Sequence, residues 1–354
     1  MNNIKILIAS HKPFKIPNGQ YFEPIHVGRD IALNLSKDGK INEKDYQWLL
    51  KNTIGDNSGD NISNKNRYYS ECSALYWAWK NYDKLDNPDY IGLMHYRRHF
   101  VFNEEYFNNK EKNKWEQALS YITELIIDDN YQKRIGLNDE NIKEYCEKYD
   151  LIVSKDSNLE LIYNRNLCED YKQTIPGVNV KDFDLMVEIV KNDYPEYKKV
   201  LEENINGYKK SLYQMFIMRK ELFFEYCEFL FGVLFKIEDK MNFEQYSVNG
   251  KRTLGYLAED LLSIFVWKKE SEKINIKKIG VIMIEFPYDD VEITKLLNKG
   301  CPSYFKYLKL KLKVFFKKGI EKQTLKEQYQ ALRNQRKAYY KLKELKGNQN
   351  ENNR

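Results

Sequence analysis

His95, Tyr96, Arg97 and Arg98 stand in a row at the end of a short apolar run, residues 90–94. A buried strand has no packing use for four bulky polar groups at its end. The open end of a strand in an α/β sheet, by contrast, is where ligands bind. Two adjacent guanidinium groups offer planar, multi-donor forks suited to a diphosphate. Neighbours on an extended chain point to opposite sides, so one arginine can meet a ligand while the other meets the fold. The alternative use of the pair is an ion pair with Glu71 or Asp89 that ties a helix to the strand. The row therefore reads as an anion-seeking strand end.

Other chemistries are weighed against the same residues. His95 and His99 have the spacing of a zinc helix, but Tyr96 stands where a zinc-protease helix needs Glu, and no third ligand is near. All four histidines (His11, His26, His95, His99) fall in the first hundred residues. The chain has no G-x-x-x-x-G-K-[ST] loop, no G-x-G-x-x-G fingerprint and no G-x-S-x-G elbow, which argues against P-loop NTPases, dinucleotide dehydrogenases and α/β-hydrolases. Glu259 and Asp260 follow Gly255 near the start of a helical pattern. A carboxylate there can act as general base on an acceptor hydroxyl, or simply be favoured by the helix dipole.

Positioning these groups requires alternating strands and helices. Residues 4–9 (IKILIA) read as a buried strand that ends in Ser10-His11-Lys12-Pro13. Residues 14–50 yield few elements beyond a short helix or turn at 45–50. The stretch 54–66 (IGDNSGDNISNKN) has turn-forming composition; it is a surface loop or, lying just before the central helix, a functional one. A helix from 68 to 82 places Glu71, Leu75 and Trp79 on one stripe, with Cys72 and Tyr76 beside them. A turn at 86–88 leads to the strand at 90–94. Residues 102–141 read as a mostly helical, peripheral insertion. Further strands are expected at 149–153, within 212–218 and at 279–286, and helices at 183–192, 197–204, 221–237 and 252–267. The alternation argues for an α/β fold.

Hydrophobic residues make up 42% of the 354 and aromatics 14%, which excludes a disordered chain. Twenty-eight tyrosines suit a broad semi-polar surface as well as a core. Five scattered cysteines show neither metal-ligand spacing nor a bridge framework, which fits a reducing compartment. No stretch reads as a signal peptide or a membrane span, so a cytoplasmic protein is expected. The net charge of +6 conceals an asymmetry: residues 304–346 hold 14 Lys or Arg against 3 Glu, leaving the rest mildly acidic. We therefore divide the chain into a body, residues 1–300, and a basic, helical tail, residues 301–354. Lysines interleaved with aromatics at 304–318 fit the surface of an anionic membrane; a basic tail for nucleic acid is the rival.

The blocks SGDNISNKN, YYSECSALYWAWKN, DYIGLMHYRRHF, MFIMRKELFFEYCEFLF and GYLAEDLL resemble, in this order, the capsular- and exopolysaccharide-type glycosyltransferases first catalogued as a domain of unknown function (number 4422). The resemblance covers about residues 3–270. It implies a GT-A-like nucleotide-diphospho-sugar transferase fold with helical additions. It further implies transfer of a sugar, galactofuranose or galactose first, from a UDP-sugar to a growing capsular, exopolysaccharide or O-antigen glycan. Such a protein would work at the inner face of the plasma membrane, with no nucleic acid as partner.

On that resemblance Glu259 is the catalytic base. Ser10, His11, Asp60, Asn61, Lys65, His95, Tyr96, Arg97 and Arg98 bind the donor, supported by Glu71, Tyr76 and Trp79. GT-A enzymes usually carry Asp-x-Asp at the strand end to hold a metal. Here fixed cationic groups would replace it, with Asp56 and Asp60 as the residues able to hold Mg or Mn. Two departures stand out: the family's Glu-Arg reads Glu259-Asp260, and its histidine between Tyr171 and Asp182 is missing. The alternative reading is a non-catalytic, basic-tailed module that binds membrane, glycan or nucleic acid.

Overall fold

Along the first strand Ile4, Ile6 and Ile8 face one core while Leu7 and Ala9 face another. Alternation with both faces apolar is the mark of a strand buried on both sides of a sheet. The computed structural model describes residues 3–34, 40–174, 177–288 and 290–352. Its strands are β1 (Ile4–Ser10), β2 (Phe22–His26), β3 (Ile54–Gly55), β4 (Tyr90–His95), β5 (Arg98–Val101), β6 (Tyr121–Ile126), β7 (Leu151–Ser154), β8 (Ser157–Asn158), β9 (Lys209–Lys210), β10 (Phe216–Arg219) and β11 (Ile276–Phe286). The helices used below are α1 (Cys72–Lys80), α2 (Val180–Asp193), α3 (Pro195–Asn204), α4 (Lys220–Glu238), α5 (Thr253–Ser271), α6 (Tyr304–Phe316) and α7 (Gly319–Asn352).

Strands β3, β2, β1 and β4 lie side by side and parallel. Next to β4 runs β10, antiparallel to it and to β7. The first half of β11 continues parallel to β7; its second half pairs with β5 and β6. From β1 the chain winds outward through β2 and β3, then returns to β4 on the other side of β1. The carboxyl ends of β1 and β4 thus flank a topological switch point, where a crevice opens in sheets of this kind. Helices α1 to α5 supply residues to the core on the face of Leu7 and Leu93. Helix α4 is buried nearly all round, from Leu222 to Ile237.

Several expectations change. The helix expected at 68–82 is broken: Asn66–Tyr69 is one turn, Ser70 takes a positive φ of 52°, and α1 starts at Cys72. The insertion at 102–141 is not peripheral throughout, because β6 lies inside it and pairs with β11. Strand β2 falls within 14–50, where turn-like residues and Pro24 hide its periodicity. The tail is helical, as α6 and α7, and Leu342 of α7 is buried with Ile126 and Ile293 of the body.

One side chain binds the strand ends to α1. The Asp56 carboxylate is fully buried and accepts from Gly28 N (2.7 Å), Arg29 N (3.1 Å), Ser63 Oγ (2.5 Å) and Ser73 Oγ (2.6 Å). Gly28 sits at φ 67°, and a Cβ there would lie 2.7 Å from the Asn66 side chain. The loop after β2, the turn at Ser63 and the start of α1 therefore share one anchor. Burial pushes the carboxyl up and the four donors pull it back. Asp56→Ala strands buried donors and is expected to cost about 3 kcal/mol or more, read as a lower urea midpoint at unchanged slope. A midpoint equal to wild type would remove the anchor role.

Candidate active site at the strand ends

The turn after β1 is closed by Ser10, whose buried hydroxyl donates to Lys12 O (2.5 Å) and accepts from Lys12 N (3.1 Å). The Ser10 side chain thus shapes the turn. His11 is exposed and sets its ring edge-on to Tyr96, centroids 5.5 Å apart. Tyr96 N donates to Ala9 O (3.1 Å), extending the β1–β4 pairing into the crevice. Arg97 is exposed, and its Nε donates to Ile284 O (3.1 Å) on β11. Lys12 and Arg97 both act on the half-buried Tyr288, so they share this rim.

Arg98 turns the other way. Its guanidinium lies 5.3 Å from the centroid of the Tyr213 ring. The pair therefore splits: Arg97 engages β11 while Arg98 joins a second group of side chains. His95 is buried, and its Nε2 donates to Tyr213 O (2.5 Å). A carbonyl only accepts, so the proton sits on Nε2. Burial lowers the His95 pKa, which keeps the ring neutral. Tyr213 and Gln214 both adopt positive φ, 79° and 51°. Two such residues in succession store backbone strain, a feature that concentrates at functional sites.

The second group is completed by α5. A Cβ on Gly255 would lie 2.8 Å from Ser70 Oγ, so glycine permits α5 to abut the break before α1. Arg252 Nε donates to that same Ser70 Oγ (3.1 Å), and its guanidinium lies 5.3 Å from the Tyr256 ring centroid. Glu259 is half-buried one turn further on. Burial raises its carboxyl above the usual range; Lys210 and Arg98 pull it back, while Glu71 and Asp260 push it further. Glu259 thus feels both Glu71 and Arg98. Among the described residues none of the three forms an ion pair within 4 Å.

Behind Glu259 lies a charge cluster that sequence reasoning missed. Lys210 is buried, with Nζ 3.0 Å from Asp260 Oδ1 and 3.4 Å from Asp170 Oδ2. Asp260 Oδ2 and Asp170 Oδ1 have no hydrogen-bond partner. The buried cation beside Asp260 thus comes from β9. Nothing in Gly207-Tyr208-Lys209-Lys210 marks one lysine as buried. Arg252 was legible only as a basic residue before Gly255.

The remaining predicted residues go elsewhere. The Asp60 carboxylate accepts from Tyr76 OH (3.2 Å), and Asp60 O accepts from Asn81 Nδ2 (2.8 Å), beyond the C-terminal end of α1. Asn61 closes its own turn by accepting from Ser63 N (3.1 Å). Lys65 pairs with Glu238 of α4 at 2.8 Å. Tyr76 and Trp79 pack against Phe231, the latter stacked at 5.8 Å. This loop therefore runs along α1, and its side chains serve packing and turns. A protein-held metal does not fit Asp56 and Asp60: Asp56 is saturated by four donors, and Asp60 lies at the other end of α1. Among the described residues no three His, Cys, Asp or Glu gather as a metal set. His99 meets Tyr131 OH at 2.9 Å, and burial takes its pKa down to about 3. Where a histidine was expected between Tyr171 and Asp182, Tyr171 OH meets Thr253 Oγ1, and the Thr253 and Tyr246 hydroxyls both donate to Asp182; Ile175 and Pro176 lie outside the described residues.

Against known proteins, the model of the family described as "Domain of unknown function (DUF4422)" matches residues 5–270. The apo structure of WbbM, a bifunctional glycosyltransferase, aligns with a TM-score of 0.68 at 30% sequence identity, over 80% of this chain and 45% of WbbM. The chain thus spans less than half the length of WbbM and shares the fold of that part. No curated protein matches it.

The Lys210 cluster makes a direct prediction. Lys210→Met leaves Asp170 and Asp260 buried together without a cation, which is expected to cost about 3–5 kcal/mol. Adding Asp260→Asn should restore part of that loss in a denaturant titration. Equal losses in the single and double variants would contradict the pairing.

Proposed function

The chain belongs to the DUF4422 family, and from that premise we propose that it is a glycosyltransferase acting at the ends of β1 and β4. The observation that carries this reading is Glu259: a half-buried, unpaired carboxylate with a raised pKa, held on α5 within the influence of Arg98. Likeness to a bifunctional glycosyltransferase over most of the chain supports the same class.

The reaction divides among the residues as follows. The donor is a UDP-sugar, with galactofuranose or galactose as the sugar. Its diphosphate lies over the rim made by His11, Lys12, Tyr96 and Arg97, and Arg98 reaches it from the opposite side. Glu259 accepts the proton of an acceptor hydroxyl as that oxygen forms its bond to the sugar's anomeric carbon. The bond from that carbon to the diphosphate breaks, and the nucleoside diphosphate departs with the electron pair. Its growing charge is met by fixed guanidinium and ammonium groups, the work of preorganised electrostatics. Glu71 keeps Glu259 basic by repelling its negative charge, and the strained Tyr213, held by His95, presents Arg98. The acceptor is a growing capsular, exopolysaccharide or O-antigen glycan, carried on a lipid at the inner face of the plasma membrane.

Two tests address the base. With a panel of UDP-sugars and a glycan acceptor, Glu259→Gln is expected to lower kcat by about 10²–10⁴-fold while donor binding persists. Normal turnover by that variant would overturn the assignment. A base works deprotonated, so activity should rise as pH passes upward through the raised Glu259 pKa, giving an acid limb above the ordinary glutamate value of about 4.3. Removing the negative neighbour with Glu71→Gln lowers that pKa and should shift the limb to lower pH. A limb that stays in place, or moves upward, argues against coupling of the two carboxylates.

A further inference from the structure

The apolar residues of α6 are distributed on two sides, and the structure separates their uses. One side carries Tyr307, Leu310 and Val314, all half-buried. Tyr307 turns to α7, with its ring stacked 4.9 Å from Tyr329 and the two hydroxyls 2.9 Å apart. Helix α7 is in turn fixed to the body: Lys341 pairs with Glu285 at 3.0 Å and Leu342 is buried with Ile126 and Ile293, while Arg336 donates to Pro302 O at the start of the tail. The hairpin is therefore anchored through α7.

The opposite side of α6 is uncovered. Phe305 is 84% exposed, Leu312 61% and Phe316 83%. Their spacing of i, i+7 and i+11 puts them on one stripe of the helix. Lys309 falls within that stripe, with Lys306 and Lys313 along one flank and Lys311 along the other, and all four are exposed. Residues 304–318 contain six lysines and no acidic residue. Among the described residues no helix is long and apolar enough to cross a membrane.

We propose that the Phe305–Leu312–Phe316 face of α6 docks in the plane of an anionic lipid surface. A basic helix with large apolar residues on one face has the form of an interfacial anchor. The lysines meet lipid phosphates while the two rings and the leucine enter the boundary between headgroups and acyl chains. A polyanion such as RNA would satisfy the lysines but would leave the apolar stripe in water. The anchored α7 fixes the direction in which this face looks, so lipid docking would orient the body above the surface.

The test uses the full chain and lipid vesicles alone, so its outcome is independent of the transferase reading. Sedimentation with phosphatidylcholine vesicles is compared with sedimentation on vesicles that also contain phosphatidylglycerol. Binding is expected only with the anionic lipid and should weaken with salt. Phe305→Ser with Phe316→Ser alters two exposed side chains, so thermal melting should not change, yet anionic vesicle binding should fall by roughly tenfold or more. Lys309→Glu with Lys313→Glu should also abolish binding. The proposal fails if anionic vesicles are not bound, or if removing both phenylalanines leaves lipid binding intact. It also fails if those two changes weaken binding to single-stranded RNA rather than to vesicles.

Discussion

A single buried carboxylate fixes the relation between the sheet and its central helix. Asp56 takes two backbone amides from the turn after β2 and two serine hydroxyls, one of them from the first turn of α1. A buried charge is tolerable only when it is well hydrogen-bonded, so these segments hold each other in place. Ser73 fixes the start of α1, and with it the break at Ser70 and the side chain of Glu71. Against that break Gly255 admits α5, which carries Glu259 and is preceded by Arg252. The placement of the proposed base therefore depends on an acid that has no chemical part in the reaction.

Charge is deployed in two ways around this scaffold. Behind the site, Lys210 neutralises Asp170 and Asp260 at short range. At the strand ends, Glu259 interacts through space with Glu71 and Arg98, and among the described residues it closes no ion pair. The first arrangement holds the structure together, and the second is the one the proposed reaction uses. Asp260 belongs to the first: its charge is met by a lysine from β9.

How far the sequence could be read depended on whether the signal was local. The strand at 90–94 and its polar terminus were legible because apolar residues stop abruptly at four polar ones. The helices at 183–192, 221–237 and 252–267 were legible from their apolar patterns, each within a few residues. Strand β2 was not, since Phe22–His26 includes Pro24 and lacks a clear period, and β6 was hidden among polar helices. Arg97 and Arg98 looked like one clamp. Extended backbone sends them to different neighbours, as alternation had allowed, but which neighbours is a tertiary fact. Asp56 and Asp60, four residues apart in a turn-rich loop, looked like a metal pair. Donors distant in sequence, Gly28 and Ser73, claim the first, and the loop's course along α1 carries off the second. Lys210 had no local signal, because its burial arises only when β9 meets α2's preceding segment and α5.

A crystal structure with bound UDP tests the central claim most directly, because it locates the diphosphate without relying on turnover. The account predicts the diphosphate over the carboxyl ends of β1 and β4, in contact with Arg97 or Arg98 and within reach of Lys12, with Glu259 facing the open side. A diphosphate bound away from both strand ends, with Glu259 and Arg98 untouched and remote from it, would contradict the account.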